Sequence, residues 1–232
     1  MGNTKPSGLF LLWMGAAISI AEIVTGTLIA PLGWKSGLLA IFIGHVIGCF
    51  VFLLPAGYLS AQQNRTAIQA TKTVFGKQGV WLFSGLNALQ LLGWTAVMIV
   101  NAQLAMNGLS KTLFNYHSVL VMSLIVAVLI VVWLLMDHDW LFKVNNVIVV
   151  LLAIGMVLML WTIVKEGRLQ SSANLSPLSF GSAVELNVTM ALSWLPLIGD
   201  YTQHTDHPFR ASMASVSGYF VASFCMFSLG LF

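Results

Sequence analysis

The most unusual chemical group in this sequence is a carboxyl group inside an apolar run. Glu22 lies in the segment Ala17–Gly26, AISIAEIVTG, in which no other residue is charged. A charged side chain at the centre of a membrane helix costs about 2.5–3.5 kcal/mol on insertion scales. Gly15, Ser19, Glu22 and Gly26 are four, three and four positions apart, which places them on one helix face. Small neighbours let a ligand or another backbone approach Glu22 closely, so we consider two uses for it: ligand binding, or a hydrogen bond that only specifies helix packing.

A second polar stripe lies about 65 residues further along the chain. Asn87, Gln90, Trp94 and Asn101 share one helix face, whereas Asn107 points elsewhere. An indole between amides suits a flat, hydrogen-bonding molecule, because the indole stacks on a ring and the amides bind its edge. The alternative is that the amides only join neighbouring helices.

A third apolar run is interrupted near its end. It carries Glu185 early and Trp194 and Pro196 late. Proline removes a backbone donor and clashes with the preceding turn, so the helix should kink or break near Pro196. A broken helix exposes backbone dipole ends that bind ions and polar ligands.

Other polar residues give weaker signals. His45, between two glycines, is more typical of a helix contact than of a ligand site. The loop segments 137–139 and 204–207, DHD and HTDH, resemble metal sites only superficially, and we assign no metal to either. Cys49 and Cys225 each lie in an apolar run and are expected to be small buried side chains.

The elements that must position these residues follow from composition. The chain has 232 residues, of which 58% are hydrophobic and 7% charged, whereas soluble domains carry roughly a quarter charged residues. Apolar runs of about 20 residues or more predict membrane-spanning helices. We therefore predict an all-α polytopic membrane protein, a single membrane domain with about seven spans, at 9–31, 37–60, 80–107, 118–136, 144–164, 181–201 and 212–232.

Loop charge predicts the orientation in the cell membrane. A cytoplasmic N-terminus places six basic residues inside, namely Lys5, Arg65, Lys72, Lys77, Lys143 and Arg210. It places four outside, namely Lys35, Lys111, Lys165 and Arg168. The net charge of +3 reflects these loops and does not indicate nucleic-acid binding. Four tryptophans near span ends are assigned to the membrane interface, namely Trp13, Trp34, Trp81 and Trp140.

The order of the spans adds an architectural prediction. The first and sixth spans are the two interrupted ones, and they stand five spans apart with opposite directions. Interrupted helices at matching positions of inverted halves are typical of secondary transporters. The seventh run is still apolar at Phe232, so we expect an incomplete chain: one five-helix unit and part of a second.

At this point the sequence resembles the nucleobase:cation symport-1 family. The resemblance is carried by segments 13–23, 92–96 and 192–202, WMGAAISIAEI, LGWTA and LSWLPLIGDYT. Within the family it is most similar to CytX-type permeases, thought to import hydroxymethylpyrimidine, a thiamine precursor. The resemblance implies a LeuT-like fold and import of a pyrimidine-type nucleobase by cation symport through alternating access. It implies no cofactor beyond the coupling cation, Na⁺ or H⁺.

The resemblance also implies site residues. Trp94 matches the tryptophan that stacks on the substrate ring, and Trp194 is the candidate for a second aromatic contact. Candidates for recognition of the ring edge are Asn101, Gln90, Glu22 and Glu185. An aminopyrimidine presents an exocyclic amine beside a ring nitrogen, and a carboxyl group can pair with both when one partner is protonated. We expect Glu22, or less readily Glu185, to make this contact.

Other classes of protein fit less well. No lysine follows Lys165, so a retinal Schiff base on the last span is excluded. No HExxH or GxSxG motif is present, and we expect a transporter and not an enzyme. A non-transporting membrane subunit or an inactive transporter fragment stays open. We expect a monomer in the lipid bilayer, with a small pyrimidine as its only other partner.

Overall fold

The computed structural model describes residues 5–136, 138–166 and 178–232, which form helices and no strand. The α-helices are, in chain order, α1 (Pro6–Ala17), α2 (Ile20–Thr27), α3 (Gly33–Val46), α4 (Leu54–Gln63), α5 (Ala67–Ala70), α6 (Lys72–Phe114), α7 (Val119–Leu135), α8 (His138–Glu166), α9 (Phe180–Leu192), α10 (Leu195–Thr202) and α11 (Pro208–Leu231). A 3₁₀ helix covers Ala30–Leu32 and a π-helical segment covers Ile47–Leu53. The all-α prediction is confirmed.

Each predicted span corresponds to one or two of these helices. The first is α1 with α2, the second runs from α3 to α4, the sixth is α9 with α10, and the others are α6, α7, α8 and α11. Three helical stretches of the described chain are long and apolar enough to cross a membrane, namely 20–63, 72–114 and 208–231. Shorter apolar helices cover Pro6–Ala17, Val119–Leu135 and Val150–Thr162.

The π-helical segment in the second span has a local cause. Pro55 is the second residue of α4 and therefore follows directly after this segment. Proline lacks a backbone N–H and its ring collides with the carbonyl group four residues earlier. Widening the preceding turns to a π-helix avoids that collision while the span continues.

A kink near the start of α6 depends on one glycine. Gly76 has φ 65° and ψ −166°, a backbone conformation that residues with a Cβ rarely adopt. The helical segment of Lys72–Phe114 therefore changes direction at this residue. Nothing lies within 4 Å of the place where a Cβ would be, so backbone conformation and not packing requires glycine here.

The described residues divide into two compact units, one from 5–84, 153–166 and 178–232 and the other from 85–136 and 138–152. In the first unit α11 packs against α1, α2, α3 and α4. Glycines allow these approaches: Gly26 faces the Phe227 carbonyl group, and Gly218 faces that of Phe10. Small residues at helix contacts are how membrane helices gain packing energy without a hydrophobic driving force. The α11 helix is thereby the central element of this unit.

Candidate functional site

The first span is interrupted beside Glu22. Helix α1 ends at Ala17, Ser19 is extended with φ −141° and ψ 151°, and α2 begins at Ile20. The Ser19 Oγ atom accepts a hydrogen bond from the Glu22 backbone N–H at 3.4 Å, which caps α2. The predicted interruption of the first span is therefore confirmed, and it places Glu22 in the first turn of the second half-helix.

The Glu22 side chain is buried against α11. Only 2% of the residue is exposed, and Tyr219 and Ser223 on α11 lie within interaction range of its carboxyl group. Neither the Oε2 atom of Glu22 nor the Tyr219 hydroxyl group makes a hydrogen bond of good geometry to another protein atom. The Cys49 thiol, from the π-helical segment, is near enough to interact electrostatically with this carboxyl group. A buried carboxyl oxygen without a partner is costly, and it leaves an acceptor open for a ligand.

His45 joins the same group of side chains. It is fully buried in α3 and lies edge-on to the Phe227 ring, with 5.0 Å between the ring centroids. Its Nδ1 atom is 2.9 Å from the Ile41 carbonyl oxygen and its Nε2 atom is 2.6 Å from Ser223 Oγ. The expectation of a helix contact is confirmed, but the contact is polar and reaches the residue that faces Glu22.

The sixth span is interrupted at Trp194. Helix α9 ends at Leu192 and α10 begins at Leu195, with Pro196 in its first turn. This confirms the break predicted from Pro196. Trp194 is half-buried at the break, and its ring lies 5.5 Å from that of Trp13 and 6.2 Å from that of Tyr219, both edge-on.

The assignment of Trp13 to the membrane interface is wrong. Only 1% of it is exposed, and it also contacts the Tyr201 and Tyr219 rings at 5.6 Å and 6.3 Å. Its position near a span end suggested interfacial lipid, but α11 and α10 cover that end of α1. Trp34 and Trp81, by contrast, are exposed, at 43% and 80%, as an interface position requires. The Trp140 side chain lies outside the described residues.

Tyr219 connects the two interrupted spans. Its ring contacts Trp194 while its hydroxyl group faces Glu22, so the structure brings Glu22 and Trp194 to the same residue. Sequence reasoning missed Tyr219 and Ser223, although a signal existed. Four fully buried polar residues on α11 are three, four and four positions apart, namely Ser212, Ser215, Tyr219 and Ser223. That is the same kind of stripe that singled out Glu22.

Glu185 has different surroundings on α9. It is exposed, whereas its neighbour Asn187 is fully buried where α9 packs against Gly44 of α3. The Asn187 Nδ2 atom donates to the Ala183 carbonyl oxygen at 2.7 Å, and its Oδ1 atom has no hydrogen-bond partner. Asn187 is, like Tyr219 and Ser223, a buried polar residue that the sequence analysis did not single out.

The predicted stripe on α6 belongs to the second compact unit. Gln90, Trp94 and Asn101 are each half-buried, whereas the intervening Leu92 and Met98 are exposed. The three predicted residues thus share the less exposed face of α6. Asn107 has a structural role instead, because its Oδ1 atom accepts a hydrogen bond from the Ser118 backbone N–H at 3.0 Å, at the turn into α7.

The end of the sixth span is held by its LIGDYT segment. Gly199 faces Ser60 and the Ala67 backbone so closely that a Cβ would not fit. The Thr202 hydroxyl group donates to the Gly57 carbonyl oxygen at 3.0 Å, which fixes α10 on α4. Tyr201 turns the other way onto Trp13. This motif therefore positions the half-helix that carries Trp194.

The loop histidines do not form a metal centre in the described structure. His204 Nδ1 lies 3.0 Å from Asn64 Oδ1, and no group of three or more His, Cys, Asp or Glu side chains converges among the described residues. Segment 137–139 lies outside the described side chains. A cavity of about 500 Å³ opens beside the second loop, lined by Tyr58, Gln62 and residues 206–210, and none of the predicted site residues lines it.

Apolar helices long enough to cross a membrane, with two broken spans around a buried carboxyl group, define a multi-pass membrane transport protein. The chain belongs to the family described as permeases for cytosine/purines, uracil, thiamine and allantoin, whose model matches residues 3–232. The resemblance to nucleobase:cation symporters is thereby confirmed at the level of the family. No curated protein and no solved structure matches the chain.

Proposed function

We propose that this permease imports a pyrimidine-type nucleobase, or the thiamine precursor hydroxymethylpyrimidine, by cation symport through alternating access. The observation that carries the proposal is the meeting of the two broken spans at Tyr219, with Glu22 on one side and Trp194 on the other. Half-helix ends at two such breaks are the parts from which central transporter sites are built. The family description, which includes cytosine, uracil and thiamine, agrees with this substrate class.

From the resemblance, stacking on the substrate ring is assigned to Trp94, and Trp194 is the candidate for a second aromatic contact. The polar edge of the ring is bound by amide and carboxyl groups, namely Gln90, Asn101 and Glu22, with Glu185 as the less favoured carboxylate. Stacking selects flat rings of many kinds, whereas a site built to hydrogen-bond a particular edge discriminates far more strongly. The edge contacts therefore decide which pyrimidine is carried.

Glu22 is the residue proposed to distinguish aminopyrimidines. A protonated carboxyl group donates its O–H to the ring nitrogen and accepts a hydrogen bond from the neighbouring exocyclic amine. The unpartnered Oε2 atom supplies such an acceptor. Uracil presents the opposite pattern, a ring N–H beside a carbonyl group, so it can pair only when the proton of Glu22 lies on the other carboxyl oxygen, and we expect it to compete less well.

Uptake in cells that lack their own pyrimidine carriers tests this function. Labelled hydroxymethylpyrimidine should accumulate, unlabelled aminopyrimidines should compete better than uracil, and omission of sodium separates the two candidate cations. We expect Glu22→Gln to weaken uptake much more than it lowers the amount of protein in the membrane, because the amide cannot exchange a proton. A glutamine amide can still donate to the ring nitrogen and accept from the amine, so Glu22→Ala is the stricter test of ring-edge binding, and unchanged uptake by Glu22→Ala would remove Glu22 from the site.

We further propose that the protein acts as a monomer in the cell membrane, with its N-terminus in the cytoplasm. The excess of Lys and Arg on that side of the predicted spans supports the orientation. Failure of the protein to bind or move any pyrimidine, while properly inserted, would instead favour a non-transporting subunit or an inactive fragment.

A further inference from the structure

Four polar side chains from three helices form a buried group in the first compact unit. They are Glu22 on α2, His45 on α3, and Tyr219 and Ser223 on α11, and no more than 2% of any of them is exposed. Ionisable residues at such positions are expensive in a membrane protein and are typical of proton or ion pathways. The Ser223 hydroxyl group is 2.6 Å from His45 Nε2 and also lies within interaction range of the Glu22 carboxyl group, so it is the group closest to a link between the two ionisable residues.

Hydrogen-bond chemistry fixes where the protons lie at the His45 end. The Ile41 carbonyl oxygen can only accept, so the proton of the neutral imidazole is assigned to Nδ1, 2.9 Å away. The Nε2 atom is then an acceptor, and the Ser223 hydroxyl group donates to it across 2.6 Å. The single proton of Ser223 is thereby used, and toward Glu22 and Tyr219 its oxygen can only accept.

In this arrangement the Ser223 hydroxyl group can pass a proton between Glu22 and His45 in either direction. When Glu22 carries a proton, its O–H can donate to Ser223 Oγ while Ser223 donates to His45. When the proton moves, the O–H bond of Glu22 breaks as one forms at Ser223 Oγ, and the original Ser223 O–H breaks as an N–H forms at His45 Nε2. The result is a Glu22 carboxylate that accepts from Ser223, and a doubly protonated His45. No other reactant is required.

We propose that the coupling cation of this permease is a proton, held by Glu22 and exchanged with His45 through the Ser223 hydroxyl group. The inference rests on the proposed import function and names its ion and the residues that carry it. The other titratable groups near enough to interact with Glu22 are the Tyr219 hydroxyl group and the Cys49 thiol. Tyr219 can be a further donor for the carboxylate form, because its hydroxyl group faces Glu22 and makes no hydrogen bond of good geometry to a protein atom.

The proposal also explains why substrate and proton would travel together. Pairing with an aminopyrimidine requires the protonated form of Glu22, whose O–H meets the ring nitrogen. Release of the substrate lets the proton pass to Ser223 and His45, away from the empty site. Binding of substrate and proton are then linked, so that each raises the affinity for the other.

Liposomes containing the purified protein and a pH-sensitive dye test the proposal. An inward proton gradient without sodium should drive accumulation of labelled hydroxymethylpyrimidine, and addition of the substrate should acidify the interior. We expect Ser223→Ala to lose gradient-driven accumulation and the dependence of uptake on pH, while it retains exchange of internal for external substrate, which needs no net proton movement. Ser223→Thr keeps the hydroxyl group and should restore coupling.

Ser215→Ala is the matched control. Ser215 is equally buried on α11, but its hydroxyl group donates to the Ala211 carbonyl oxygen of its own helix at 3.0 Å. It should behave as the unmodified protein. Accumulation driven by sodium alone with no proton movement, or equal pH profiles for Ser223→Ala and Ser215→Ala, would overturn the proton proposal and leave the import function intact. Absence of both accumulation and exchange under either gradient would overturn the import function and this inference with it.

Discussion

Tyr219 contributes both to packing, through its ring, and to the polar group around Glu22, through its hydroxyl group. Its ring packs edge-on against both Trp13 and Trp194, and its hydroxyl group faces Glu22. The hydroxyl group makes no hydrogen bond of good geometry, although it is fully buried. A buried hydroxyl group without a hydrogen bond lowers stability, which favours a role for it as a donor to the carboxyl group.

Paired substitutions at Tyr219 separate these two roles. Tyr219→Phe keeps the aromatic contacts and removes a polar group without a partner, so thermal stability in detergent should be unchanged or slightly higher. Tyr219→Ala leaves a cavity, and large-to-small changes of aromatic residues cost about 3–5 kcal/mol. Thermal unfolding followed by tryptophan fluorescence measures both. Equal destabilisation by the two variants would show that the hydroxyl group, and not the ring, stabilises this region.

The sequence alone identified those residues whose burial in a membrane helix is unusual for their type, whatever the helix packs against. Glu22 and Trp194 could be predicted because a carboxyl group and a proline-marked break stand out in an apolar run. Tyr219 and Ser223 could not be chosen in the same way, because a serine that bonds its own helix, as Ser215 does, is common and gives the same sequence pattern. Which serine faces a partner depends on how α11 lies on α2.

At the scale of the helices, the breaks were more predictable than the contacts. The break before Pro196 follows from proline chemistry, whereas the break at Ser19 has no proline and is marked only by a capping serine. The wrong assignment of Trp13 to the membrane interface has the same cause as the failure to predict Tyr219 as a site residue. Both depend on α11 packing across α1, and no local pattern in either helix encodes that pairing.

The contact of α2 with α11 can be tested at Gly26. A Cβ at this position would collide with the Phe227 backbone carbonyl group, which cannot rotate away as a side chain could. Overpacking of this kind typically costs about 1–3 kcal/mol, so Gly26→Ala should lower the unfolding temperature in detergent. It should also reduce uptake, since α2 carries Glu22.

Gly108→Ala is the control for that substitution. Nothing lies within 4 Å of a Cβ at Gly108, and alanine favours a helix over glycine by about 1 kcal/mol. Its unfolding temperature should be equal to that of the unmodified protein or higher. If Gly26→Ala were as stable as Gly108→Ala, the close approach of α2 and α11 would be contradicted.

At the scale of the whole molecule, the second span allows the orientation of the chain in the membrane to be tested. Residues 33–63 form a nearly continuous helical stretch, roughly 45 Å long at 1.5 Å per residue. That exceeds the hydrocarbon thickness of a bilayer, about 30 Å. We therefore predict that Lys35 at its start and Arg65 just beyond its end lie on opposite sides of the membrane, whichever way the N-terminus points.

Cysteine labelling in intact cells tests both the span and its direction. In a background with Cys49 and Cys225 replaced by alanine, Lys35→Cys should react with a membrane-impermeant maleimide, and Arg65→Cys should react only after the membrane is opened. Both residues are exposed, so burial would not hide either thiol. The reverse pattern would place the N-terminus outside and contradict the orientation inferred from loop charge. Labelling of both residues from outside would contradict the second span itself, because two exposed residues on the same side cannot be the two ends of one crossing.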